Sequence, residues 1–181
     1  MRRLTTALLA PVTLALSAGL LVSVPTAAHA DDRRCVGTIR AVAVGDNIVV
    51  PRGKTCRLLG TRVDGDVKVR KGARLVARGV RVDGNIQGKH QRRVVVTARK
   101  VNGKLVRSRI DGNIQLERGR RGGKIARTVV DGDIQLFGNR GRFVVRRNVV
   151  DGNLQCKNNK PKPVGANNRV DGDKENQCRG M

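Results

Sequence analysis

One short motif recurs along this chain at a nearly fixed interval. A branched aliphatic residue, then Asp-Gly, then Asp or Asn, begins at Val63, Val82, Ile110, Val130, Val150 and Val170. The spacings are 19, 28, 20, 20 and 20 residues. A degenerate copy, VGDNIVV at 44–50, lies another 19 residues upstream. Self-similarity at a fixed short period marks a chain whose units stack on one another. Within VDGDIQL, Val130, Ile134 and Leu136 face one way and Gln135 the other, which is a strand pattern. Asp-Gly is a turn signal, because glycine tolerates positive φ and Asp can bond its own nearby backbone. A second apolar run precedes each motif, LVARGVRV at 75–82 and FVVRRNVV at 143–150. Strand, turn, strand, turn in 19–20 residues predicts an all-β fold, a single-stranded parallel β-helix (β-solenoid) of about seven coils. At about 4.8 Å per coil the rod is about 30–35 Å long. A β-sandwich or barrel would not need such regular, identical turns.

The one long spacing is an insertion between Arg93 and Arg109. Its centre is Asn102-Gly103 between short apolar runs, which predicts a β-hairpin over about 97–108. The four cysteines fall near the two ends of the repeat. Cys35 and Cys56 are 21 residues apart, and Cys156 and Cys178 are 22 apart. Each spacing is about one coil, and residues one coil apart stack within disulfide reach. The expected bridges are therefore Cys35–Cys56 and Cys156–Cys178, one cap at each end. Zinc is a poor alternative, since no C-x-x-C occurs and the one histidine beyond residue 30 is His90. The last unit carries Lys174 where earlier units carry an aliphatic residue, so the stack should end there, in a C-terminal cap of about 156–181. KNNKPKPVGANN, 157–168, reads as a loop within it, because Pro161 and Pro163 oppose regular pairing.

The first thirty residues follow a different logic. Arg2 and Arg3, an apolar run over 8–24 and Ala28-His29-Ala30 form the pattern of a cleaved secretory signal, 1–30. No second apolar run could span a bilayer. The remaining domain, 31–181, is expected to be secreted, either free or associated with the cell wall, and outside the cytoplasm disulfides persist. It holds 36 basic against 14 acidic residues, a formal charge of about +22. Nine of those acids belong to the repeated motif, so the rest of the surface is almost purely cationic. There is no Trp or Tyr, and Phe137 and Phe143 are the two aromatics, so the core must be aliphatic.

In a stacked fold Asp64, Asp83, Asp111, Asp131, Asp151 and Asp171 become a ladder of like charges. Neighbours about 5 Å apart repel by roughly 3 kcal/mol at an effective dielectric near 20. Three devices could offset this: backbone N–H groups in the turn, the arginines two residues upstream (Arg62, Arg81, Arg109, Arg169), or calcium between coils. The second polar column, Asp66, Asn85, Asn113, Asp133, Asn153 and Asp173, never carries Asp at two adjacent levels. A calcium ladder favours carboxylates at every level. The alternation therefore favours a structural turn ladder, with no metal or cofactor required and calcium as the lesser possibility. The outward column Lys68, Gln87, Gln115, Gln135 and Gln155 is either a side-chain amide ladder or plain solvated surface.

Little points to catalysis. Beyond residue 30 there is one serine, Ser108, and one histidine, and the repeated carboxylates are too many to be a single acid–base site. A polysaccharide-active β-helix enzyme is a minor alternative. The strong positive field points instead to anionic polymers of the cell envelope or matrix, with Arg62, Arg81, Arg109 and Arg169 as candidate contacts. Sequence-specific nucleic-acid binding is not expected without aromatic platforms for the bases. The alternative is a structural scaffold or self-associating surface protein without a specific ligand.

The stretches VARGVRVDGNIQ, VDGDIQLFGNRGRFVVRRNVVDGNLQCKNN and VDGDKENQC resemble small uncharacterised secreted proteins of high-GC Gram-positive bacteria. That resemblance implies secretion and a β-solenoid, and brings no activity with it. More distantly the repeat is similar to that of bactofilins, polymer-forming cytoplasmic β-solenoids that lack capping cysteines.

Overall fold

The computed structural model describes residues 32–181. The expected export signal, 1–30, lies outside the described residues. The described chain winds into a parallel β-solenoid of about seven turns with three faces. The first face is an eight-stranded sheet running from Arg33–Arg34 to Lys174–Asn176. The second runs from Gly37–Ile39 to Val164–Ala166, and the third from Ala43–Val44 to Arg169–Val170, each with seven strands. Every ladder in these sheets is parallel and in register, coil on coil. Ile86, Ile114, Ile134 and Leu154 stack in one column, for example.

The sequence suggested two strands per coil, and the structure has three. The run 75–82 breaks at Gly79 (φ 59°), which sends Arg74–Arg78 along the second face and Arg81–Val82 along the third. The same corner falls at Arg127 (φ 54°) and Arg147 (φ 56°) in later coils. Non-glycine residues are uncommon in this left-handed region. They are held there by the buried polar residue that follows each of them. Thr128 N–H donates to Asn148 Oδ1 (3.1 Å), and Asn148 Nδ2 donates to the Ile125 carbonyl (3.0 Å). Asn168 repeats the pattern on Val145.

The corner between the first and second faces carries its own buried amide column. Asn139 Oδ1 accepts from Gly119 N–H, and Asn159 Oδ1 from Asn139 N–H, at 2.8 and 3.0 Å. Gln177 ends this column by accepting from Asn159 N–H at 2.8 Å. Where Gly119 leaves the column without a side chain, Gln91 from the coil before reaches across to Asn139 at 3.4 Å. Burying the asparagines of this column is tolerable because they are paired, whereas Gln91 Oε1 is buried without a partner.

At the third corner the Asp-Gly motif works differently from the sequence expectation. None of its glycines has positive φ. They are needed for close approach instead. A Cβ on Gly84, Gly112 or Gly172 would sit 2.5–2.6 Å from the side-chain oxygen of the coil before, and closer still on Gly132 and Gly152. That oxygen belongs to the second polar column. It accepts the backbone N–H of its own counterpart one coil on, through Asn47, Asp66, Asn85, Asn113, Asp133 and Asn153 in turn, at 2.7–2.8 Å. Asn and Asp both supply that acceptor, so the column needs only one oxygen per coil.

Inside, the core is aliphatic, with Phe143 the one large aromatic, its ring lying where Gly123 has no side chain. The insertion is an antiparallel hairpin, Arg99–Val101 paired with Lys104–Val106, turning on Asn102 and Gly103. Disulfides join Cys35 to Cys56 and Cys156 to Cys178, with Cα–Cα distances of 5.5 and 5.3 Å. The bridged residues are not column mates, however. Cys56 stacks on Gly37, two residues past Cys35, and Cys156 on Asn176, two short of Cys178. Each bridge thus ties one face to the next coil obliquely. The segment 157–168 is also more regular than expected. Val164–Ala166 pairs with Phe143–Arg146, because the strand lies at the sheet edge and the prolines precede it. Arg33 and Lys174 occupy inward columns at opposite ends of the first face, and Met181 covers the C-terminal end of the core. Inward charge at a sheet end discourages further stacking.

Gly132→Ala should therefore lower stability by about 1–3 kcal/mol through overpacking. Gly45→Ala, where a Cβ meets nothing within 4 Å, should stay within about 1 kcal/mol of wild type. Thermal melts of the two variants check this.

Candidate functional site

The recurring aspartates and the arginines two residues before them meet at the exposed corner between the third and first faces. Arg62 Nε donates to Asp64 (2.9 Å) and its terminal nitrogen reaches one coil on to Asp83 (3.0 Å). Arg81 does the same with Asp83 (3.0 Å) and Asp111 (3.2 Å), and Arg109 with Asp111 (3.0 Å) and Asp131 (2.6 Å). Arg169 pairs with Asp171 alone, at 3.4 Å, since no coil follows. The planar guanidinium fork suits this arrangement, bonding two carboxylates in adjacent coils. The column is interrupted at Val129 and Val149, and among the described residues no cation lies within ion-pair distance of Asp151. Also among the described residues, no group of three or more His, Cys, Asp or Glu is placed to hold a metal ion.

These contacts change the acidity of the groups involved. The hydrogen bond from Arg81, helped by the charge of Arg62, holds the Asp83 carboxyl below the usual carboxylate range against partial desolvation. Arg62 is held more firmly protonated, chiefly by its hydrogen bond to Asp64, and Arg109 chiefly by the charge of Asp131. The arginines named from the sequence as candidate polymer contacts are thus the partners of the aspartate ladder.

The free positive charge lies elsewhere. Of the thirteen acids among the described residues, eleven stand at this one corner; Glu117 and Glu175 lie on the first face. The second face and the corner between second and third faces hold none. The corner between the first and second faces gathers sixteen lysines and arginines from six coils. They are Arg52 and Lys54; Arg70, Lys71 and Arg74; Lys89, Arg92 and Arg93; Arg118, Arg120 and Arg121; Arg140 and Arg142; Lys157, Lys160 and Lys162. All but Arg74 are exposed, and among them only Lys89 makes an ion pair, at 3.9 Å to Glu117. Sequence reasoning missed this concentration because the residues do not align in the Asp-Gly motif; they cluster in the turns between first- and second-face strands and at the strand ends beside them.

Beside this corner the first face carries a shallow groove of about 680 Å³. Lys68, Arg70, Lys71, Lys89 and His90 line it with the amides of Gln87 and Gln115 and one carboxylate, Glu117. The outward glutamines do form a ladder, from Gln115 to Gln135 (3.2 Å) and Gln135 to Gln155 (3.0 Å), ending on Glu175 (2.8 Å). Phe137 lies half-exposed in the neighbouring column between Glu117 and Lys157. Among the described residues no helix is long and apolar enough to cross a membrane.

The lowered acidity range of Asp83 fixes the sign of one pH effect. Its contribution to stability is fully present above the unfolded Asp value, about 3.9, and is lost as pH falls through the lower folded value. The melting temperature should hold down to about pH 5 and fall below about pH 4. Asp83→Asn should flatten part of that fall, as melts across a pH series would register.

No protein-family model matches the chain, and neither a curated protein nor a solved structure is similar to it, which leaves its own geometry as the guide to function.

Proposed function

We propose that this chain is an exported, non-enzymatic rod that binds anionic polymers of the cell envelope or matrix. The observation that carries this is the separation of charge. Eleven of the thirteen acids among the described residues are collected at one corner, where six of them make ion pairs, while the corner between the first and second faces is cationic along the rod. A positive ridge beside a groove of amides suits a flexible polyanion such as a teichoic acid or an acidic polysaccharide. Two or three cations recur in each of six coils, one coil roughly every 4.8 Å, so successive charges of an extended polymer can be met in turn. Binding of this kind releases counterions and weakens steeply with salt. The expected signal, 1–30, and the two disulfides support an extracytoplasmic site of action.

The alternative, a self-associating scaffold, fits the ends of the rod less well. Arg33 and Lys174 stand in inward columns there, and each end is tied by a disulfide.

Co-sedimentation with purified cell walls, with and without their anionic polymers, tests the proposal. Binding should disappear when those polymers are removed or salt is raised. Replacing Arg70, Lys71, Lys89, Arg92, Arg118 and Arg120 together by Gln should weaken binding by at least about tenfold, with the melting curve unchanged. Replacing Arg62, Arg81 and Arg109 by Gln should do the reverse, lowering the melting temperature and sparing most of the binding. No binding at low salt would leave the scaffold ahead.

A further inference from the structure

The hairpin is the one element the stack does not need. In an ordinary coil a single residue, Arg127, joins the second-face strand ending at Ala126 to the third-face strand starting at Thr128. Thr97 and Ser108 occupy the equivalent positions, and ten residues, 98–107, stand between them. The flanking coils keep their register across this gap, with Val96 on Ile125 and Ile110 on Val130. The hairpin is held to the body by Arg99, which donates to the Leu59 carbonyl at 3.2 Å and packs against Gly79.

Beyond that anchor every residue from Lys100 to Arg107 is exposed. Three of them are aliphatic: Val101 at 39%, Leu105 at 47% and Val106 at 43% exposure. They make up half of the large exposed aliphatics of the described chain. The cations Lys100, Lys104 and Arg107 alternate with them, and no acid occurs between Arg93 and Ile110. A polymer in water would use the cations and leave the aliphatics wet. An anionic lipid surface satisfies both, because the apolar side chains enter the acyl boundary while the lysines reach to the headgroups. We propose that the hairpin tip, Lys100–Arg107, is a docking element for anionic lipid headgroups, entering the interface with Val101 and Leu105. This is independent of polymer binding by the corner between the first and second faces.

The test is binding to vesicles of phosphatidylcholine with and without phosphatidylglycerol. It is run at about 0.15 M salt and again at about 1 M, where the Debye length is roughly 3 Å. The protein should bind the anionic vesicles alone at the lower salt, with a fraction that survives the higher. Val101→Asn, Leu105→Ser and Val106→Thr combined should weaken vesicle binding by at least about tenfold, the effect of one aliphatic side chain leaving the interface. Wall binding and the melting curve should not change. A second variant replaces residues 98–107 by one glycine, which restores a 19-residue coil by removing nine residues. It should keep the fold and lose the vesicles. Since the chain has no Trp, Leu105→Trp places one indole at the tip, and its emission should shift to the blue on anionic vesicles. Wild-type vesicle affinity in the triple variant, or an indole that does not shift, overturns the proposal. So does a triple variant that loses walls and vesicles equally, since the hairpin would then belong to the polymer interface.

Discussion

Stacking identical units places each side chain on its own counterpart, and every column of this fold must therefore tolerate itself. Aliphatic columns do so without help, and they fill the interior. A carboxylate column does not. From Asp64 to Asp131 the arginine two residues upstream offsets the repulsion because its fork spans one coil, bonding its own aspartate and the next; Val129 and Val149 leave the later levels without that bridge. The polar column beside it needs a single acceptor oxygen for the N–H of the next coil, and Asn serves there as well as Asp. Glycine precedes it because the coils approach too closely for any Cβ.

That solution decides where charge can lie on the outside. With nearly all acids committed to one corner, the remaining surface has nothing to neutralise its lysines and arginines. The cationic character is thus a directional field: an edge where the acids gather, and across the first face a ridge with little counter-charge. Such a rod approaches a polyanion in a preferred orientation before any contact forms.

Period, strand content, parallel stacking and the pairing of the cysteines were legible in the sequence, because each leaves a one-dimensional trace. The third face was not. Its strands are only two or three residues long, and the corner before them is made by Arg127 or Arg147 as readily as by Gly79, so composition does not mark it. The role of the Asp-Gly glycines was misread for a related reason. A glycine required by a neighbour 19 or 20 residues away looks the same in sequence as one required by its own φ. The cationic corner was hidden because its residues converge from six turns with no shared motif, and the oblique disulfides because one-coil spacing and two-residue offsets are nearly indistinguishable in a count.

The undisturbed register on either side of the hairpin shows what the corners permit. Each coil is fixed by the coils above and below it, and the length of chain between two of its strands is immaterial provided the ends return to their places. A corner is thus a site where new peptide can be grafted without renegotiating the core. A lineage of such rods could acquire or discard a recognition element in one genetic step, while the scaffold itself changes only by whole turns.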